Sequence, residues 1–173
     1  MINRELFQLL SSTPHISGQI QKIPMAIVPP TERCYGYLEK GFAYEFYQTD
    51  KNKQLVSWFW TDDEFVIPTS PYSKIVLSCD AEFYELPYGD TFRSLRTYEG
   101  DRAYYYFTRA RHKLQIAERI SDIQYASPFK NYRKLRQKKP QVFDYASEEQ
   151  IASFLNITVS ELRGFMFKHR VSL

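Results

Sequence analysis

The stretch Ile151-Ala152-Ser153-Phe154-Leu155-Asn156-Ile157-Thr158-Val159-Ser160-Glu161-Leu162 constrains this chain more than any other. It spells two helices across a turn too short to let them lie flat together. Ile151, Phe154 and Leu155 share one helical face, and Asn156 follows where the backbone can turn left-handed. Thr158 then caps a second helix, and Glu161 three residues later completes a capping box. Leu162, Phe165 and Met166 give that helix an inner face, while Ser160, Glu161, Arg163 and Lys168 point elsewhere. The pattern fits an αα-corner in any helical subdomain. It also fits the helix-turn-helix that lays its second helix in a DNA major groove.

Charge is distributed in favour of the second reading. The net charge of +3 says little, but residues 1 to 101 carry 9 Lys+Arg against 14 Asp+Glu, and residues 102 to 173 carry 14 against 6. A basic C-terminal part suits a polyanionic partner, and an acidic N-terminal part does not. Lys130, Arg133, Lys134, Arg136, Lys138 and Lys139 fall together without an acid among them. Such a run is a solvated helix face or, ahead of a two-helix reader, a set of phosphate contacts.

From about residue 17 to 96 the chain alternates like a sheet. Phe42, Tyr44 and Phe46 share one face, Thr49-Asp50-Lys51-Asn52-Lys53 is a polar turn, and Leu55-Val56-Ser57-Trp58-Phe59-Trp60 runs back as the second arm of a hairpin. Further short strands are expected around Gln19–Ile27, Glu32–Leu38, Lys74–Cys79 and Ala81–Pro87, separated by prolines and turn residues. Many short strands with turns between them suggest a sandwich or barrel. With 14 Tyr and 13 Phe, the pairs across those strands are wide. Cys34 and Cys79 suit small buried hydrophobes, and a disulfide between them stays open.

The period changes near residue 97. Ala103, Phe107, Ala110, Leu114 and Ala117 recur at helical spacing, an a/d seam whose alanines let a partner helix approach closely. The same residues serve a dimer interface or an amphipathic helix lying on the sheet. Ser127-Pro128 opens another helix carrying Phe129, Tyr132 and Leu135, and Lys139-Pro140 ends it.

This order resembles the CRP/FNR transcription regulators. Ser127-Pro128-Phe129-Lys130-Asn131-Tyr132-Arg133-Lys134-Leu135 is similar to the helix in which they carry an Arg-Tyr-x-x-Leu pattern. Gln150-Ile151-Ala152-Ser153-Phe154-Leu155-Asn156-Ile157-Thr158 is similar to their "IASYLGIT" turn, with Asn156 for the usual glycine. Gly41-Phe42-Ala43-Tyr44 resembles their "kGxxR" strand, without the arginine. The nearest likeness is to divergent Bacteroidetes-type members that lack a recognisable nucleotide pocket.

The resemblance implies an α+β fold. An N-terminal double-stranded β-helix, a jelly-roll of the cyclic-nucleotide-binding-like kind, covers residues 1–96. A dimerisation and connector helix covers 97–124, and a C-terminal winged helix-turn-helix covers 125–173. It implies a DNA-binding regulator that is cytoplasmic and homodimeric, with double-stranded DNA and RNA polymerase as partners. Thr158, Ser160, Glu161, Arg163 and Lys168 then approach bases and backbone, and Lys130, Arg133, Lys134 and Arg136 contact phosphates.

Two departures bear on mechanism. The stretch matching the family's phosphate cassette, Asp62 to Ser73, holds three consecutive acids and no arginine, which argues against cyclic AMP. An effector of another kind would use Tyr44, Trp58, Trp60, Glu64 and Ser73, residues that also suit plain core packing. In the second helix Gly164 stands where the family places an arginine, and Arg163 lies one position earlier, about 100° around the helix. His169 to Leu173 leave little room for a wing. The alternative is a β-roll small-molecule sensor or protein-interaction module whose helix-turn-helix is degenerate and binds DNA weakly.

Catalytic signatures are absent from the sequence. His15, His112 and His169 are far apart, and no H-x-H, H-E-x-x-H, C-x-x-C, Walker or Gly-x-Ser-x-Gly pattern occurs, so neither an enzyme nor a metal or cofactor site is expected. No stretch is apolar enough to span a bilayer, and the N-terminus lacks a signal-peptide pattern.

Overall fold

In the computed structural model the described residues are 2–12, 21–23, 27–28, 35–50, 53–70, 72–86, 110, 113–118 and 127–171. Among these residues an opening helix, α1 (Ile2–Ser12), precedes the strands β1 (Gln21–Ile23), β2 (Ile27–Val28), β3 (Gly36–Lys40), β4 (Ala43–Gln48), β5 (Gln54–Trp60), β6 (Glu64–Val66), β7 (Lys74–Leu77) and β8 (Glu82–Glu85). A helical segment α2 (113–118) follows. The chain then forms α3 (Pro128–Lys138), α4 (Val142–Tyr145), α5 (Glu148–Leu155) and α6 (Val159–Val171).

The strands make two antiparallel four-stranded sheets, ordered β1-β8-β3-β6 and β2-β7-β4-β5. The expected hairpin is β4–β5, with Ala43 opposite Trp60 and Gln48 opposite Gln54. Its register slips once: Glu45 pairs with Trp58 and Phe46 with Val56, leaving Ser57 as the extra residue of a bulge. Gly41 turns β3 into β4 at φ +100, a conformation that L side chains rarely adopt. Gly36 lies under the Phe83 ring, where a Cβ would come within 2.1 Å of it.

The hairpin sheet is buried on both faces. Its inner face sets Ala43, Trp60, Ile75 and Leu77 against Leu38, Val66 and Phe83 of the other sheet. Its outer face presents Phe42, Phe46, Val56 and Phe59 to Tyr132, Leu135, Val142, Ile151 and Leu155 of the C-terminal helices. One apolar cluster therefore runs from the strands into the two-helix unit. Strand β5 is an edge, and helical side chains cover its outward polar groups. Val56 N–H donates to Ser153 Oγ at 2.9 Å, Ser153 Oγ donates to Gln54 O at 3.3 Å, and Lys139 Nζ donates to Phe59 O at 2.7 Å.

Three features differ from the sequence reading. Helix α1 was not anticipated; its Phe7 stacks on Tyr37 with centroids 4.2 Å apart. Strand β6 lies outside the expected strands, and each neighbouring acid has its own partner. Asp62 accepts from Gly41 N–H, Asp63 from the Tyr37 hydroxyl, and Glu64 from Thr61 N–H and Lys139. Cys79 is an exposed free thiol rather than a buried hydrophobe, and Cys34 lies outside the described residues.

Candidate nucleic-acid interface

The two-helix unit is fixed locally at every junction. Ser147 opens α5 with a capping box: its Oγ accepts from Gln150 N–H, and its N–H donates to the Gln150 side chain at 2.8 Å. Asn156 closes α5 in the left-handed region at φ 55, ψ 47, and Ile157 N–H returns to Ala152 O at 3.0 Å. Thr158 then caps α6. Its Oγ1 accepts from Glu161 N–H at 3.2 Å, and the Glu161 carboxylate accepts from Thr158 N–H at 2.8 Å. These hydrogen bonds, the backbone one foremost, hold the Glu161 carboxyl below the usual carboxylate range.

Beneath α6, Leu162 is fully buried with Ile151, Ala152 and Leu155. Phe165 meets Phe129 edge-on at 5.2 Å and Tyr132 at 5.9 Å, so α3 buttresses α6 from the side. The other face of α6 is open: Ser160, Glu161, Arg163, Gly164, Phe167 and Lys168 are all exposed. Two of the expected DNA-contacting residues are already engaged. Glu161 is committed to the cap. Arg163 Nε lies 2.8 Å from Glu148 Oε2, a pair that ties α6 to the start of α5. At 68% exposure that pair is screened by solvent and weak, so a base edge competes with it easily. Phe167, 70% exposed on the same face, was missed; its spacing from Ser160 and Arg163 was the available signal.

Gly164 has no steric reason to be glycine, since a Cβ there meets nothing within 4 Å. Gly164→Ala is therefore expected to stabilise the chain by about 0.5–1 kcal/mol, read as a rise in thermal midpoint.

The basic run on α3 does not form one surface. Lys130 and Arg133 are exposed. Arg136 lies over the Phe143 ring at 5.0 Å. Lys134, Lys138 and Lys139 turn toward the strands, lining a cleft with Trp58, Phe59 and Glu118. Lys139 there donates to Glu64 at 2.6 Å, over the Trp58 ring. Of the four residues expected at phosphates, Lys130 and Arg133 are thus exposed, Arg136 lies on the Phe143 ring and Lys134 lines the cleft, because the cluster shared with the sheet draws one side of α3 inward.

Several solved structures have a similar shape. A Eubacterium rectale protein of the crp/fnr family superposes with a TM-score of 0.69 at 12% identity, over 99% of this chain and 89% of that one. A mutant of CooA from Carboxydothermus hydrogenoformans gives 0.62 at 12%, over 96% and 84%. The c-di-GMP-responsive global regulator CLP from Xanthomonas campestris gives 0.60 at 14%, over 98% and 91%. The fold is that of the CRP/FNR regulators. No family sequence model and no curated sequence matches the chain, so the likeness is one of fold.

Within the CRP/FNR fold the remaining candidates separate. Of the seam, Ala103 and Phe107 lie outside the described residues, while Ala110, Leu114 and Ala117 are exposed. Gln115 is what docks α2 on the strands, donating to Ile67 O at 2.9 Å. The five residues offered as one effector pocket do not meet. Trp58, Trp60 and Glu64 line a cleft of about 100 Å³ against Leu114, Gln115 and Glu118. Tyr44 lies on the outer sheet face between Phe42 and Phe46, and Ser73 is bonded to Glu45. Alternation along the hairpin parts Tyr44 from the tryptophans, since Tyr44 lies opposite Phe59 and Trp60 opposite Ala43 on the other face. Among the described residues no helix is long and apolar enough to cross a membrane, and no cluster of potential metal ligands occurs.

Proposed function

We propose that the chain is a DNA-binding transcription regulator of the CRP/FNR type, acting in the cytoplasm as a homodimer on double-stranded DNA with RNA polymerase as a further partner. The observation that carries this reading is the open face of α6, held outward by the buried Leu162 and by caps at both ends of its turn. Thr158, Ser160 and Arg163 approach base edges, and Phe167 supplies an apolar contact suited to a thymine methyl. Glu161 orients the helix. Lys168, Lys130, Arg133 and Arg136 meet phosphates. The exposure of Ala110, Leu114 and Ala117 supports pairing through that seam, which would place two α6 helices about 34 Å apart on successive major grooves. Neither cyclic AMP nor another cofactor is required.

Fluorescence anisotropy with labelled duplexes in a salt series tests this. Affinity should fall by about 0.9 log units per phosphate contact for each log unit of salt. Absence of binding at low salt overturns the proposal. A second reading, a protein-interaction module, is favoured by the bare stripe of Ser160, Gly164 and Phe167 on α6. It expects at most weak duplex binding that is blind to sequence.

A further inference from the structure

Glu45 lies on the inner side of β4 and is fully buried, yet among the described residues no cation is bonded to its carboxylate. Four donors converge on it instead. Oε1 accepts from Thr69 N–H at 2.7 Å and from the Ser73 hydroxyl. Oε2 accepts from the Ser57 hydroxyl at 2.6 Å and from the Thr69 hydroxyl at 2.8 Å. With the Thr69 hydrogen committed to Glu45, the Tyr47 hydroxyl at 2.7 Å is the donor to Thr69 Oγ1, which places a second layer behind the first. Ser57 is the extra residue of the β4–β5 bulge, and the bulge is what aims its hydroxyl inward. Thr69 and Ser73 come from the loop between β6 and β7.

Burying an acidic side chain is costly unless hydrogen bonds replace the lost water, and donors to a charged oxygen are the strong kind. An amide and three hydroxyls surrounding two oxygens are the donor set of an oxyanion site. Nothing in that set is particular to a glutamate: a phosphate or a free carboxylate presents the same acceptors.

We infer that bulge residue Ser57 and the loop bearing Thr69 and Ser73 form an oxyanion-binding cradle in the β-roll, whose resident ligand is the chain's own Glu45 carboxylate. A diffusible phosphate or carboxylate therefore meets a filled site. The inference goes beyond DNA binding and does not rest on it: the cradle stands or falls by its own chemistry.

The test is Glu45→Ala, which removes the atoms that acetate supplies. Wild-type protein should show no saturable change in Tm with acetate or inorganic phosphate. Glu45→Ala should lose Tm and regain it saturably with acetate, while acetamide, which has the same shape and no charge, should restore nothing. Equal rescue by acetamide, or no rescue of a folded Glu45→Ala protein, overturns the inference. So does phosphate binding by wild-type protein that Thr69→Val abolishes, because the cradle would then be vacant. If Glu45→Ala does not fold, Glu45→Gln keeps the volume and turns one acceptor oxygen into an amide nitrogen. It should lose on the order of 5 °C in Tm, and a Tm equal to wild type overturns the inference.

Discussion

Tyr132→Ala is expected to melt the strands together with the helices, in one transition, at a cost of about 3–5 kcal/mol. Tyr132 is 1% exposed and central to the aromatic group on α3. It meets Phe143 edge-on at 5.6 Å, Phe165 at 5.9 Å and Phe129 at 6.3 Å. Through the shared cluster it belongs to the same core as Phe42 and Phe59 of the sheet. Removing the ring opens a cavity that neither the sheet nor the short helices can close. For a chain of this size the loss corresponds to a fall of about 10–15 °C in Tm. The two tryptophans, Trp58 and Trp60, both lie in β5, so their emission follows the strands while far-ultraviolet dichroism follows the helices. Coincident curves at a lower midpoint are the expected result. Helical signal lost ahead of tryptophan emission would show that the two halves fold separately and that the common core contributes little.

How far the sequence discloses this arrangement depends on the range of each interaction. The turn between α5 and α6 is legible because its determinants are local. Asn156 in the left-handed region, Thr158 at the cap and Glu161 three residues on bond only to one another and to their own turns. The β4–β5 hairpin is legible for a similar reason, since alternation and a polar turn lie within about twenty residues. What the sequence hides is long-range. Lys139 reads as one more cation in a basic run, but its partner Glu64 is 75 residues away. Ser153 reads as the polar side of a helix, yet it bonds the β5 edge 97 residues earlier. Glu45 reads as the polar partner in an alternating strand, on the assumption that one face of the sheet is wet. Covering of both faces removes that assumption. The candidate interface divides the same way: periodicity selects the open face of α6, while the division of the α3 cations follows from packing that periodicity does not encode.

The charge pair Lys130 and Arg133 carries the second large prediction, because these two cations are exposed while Lys134 and Lys139 turn to the strands. At about 0.1 M salt each phosphate contact contributes close to tenfold through counterion release. Lys130→Glu with Arg133→Glu removes two contacts from each protomer of a dimer and is therefore expected to lower duplex affinity on the order of 1,000- to 10,000-fold, by the same factor for every sequence, and to reduce the slope of log affinity against log salt by about 4. The fold should tolerate the change. Residue 130 lies in the first turn of α3, where a negative side chain suits the helix dipole, and neither position is buried. Two single variants separate the roles. Arg163→Ala should alter the ranking of sequences with little effect on the salt slope, as expected for a side chain that exchanges Glu148 for a base edge. Lys134→Ala should leave both slope and ranking near wild type, since that lysine faces Trp58 and Glu118 across the cleft. An unchanged slope in the double reversal would remove α3 from the interface and leave α6 to bind through Arg163 and Lys168 alone.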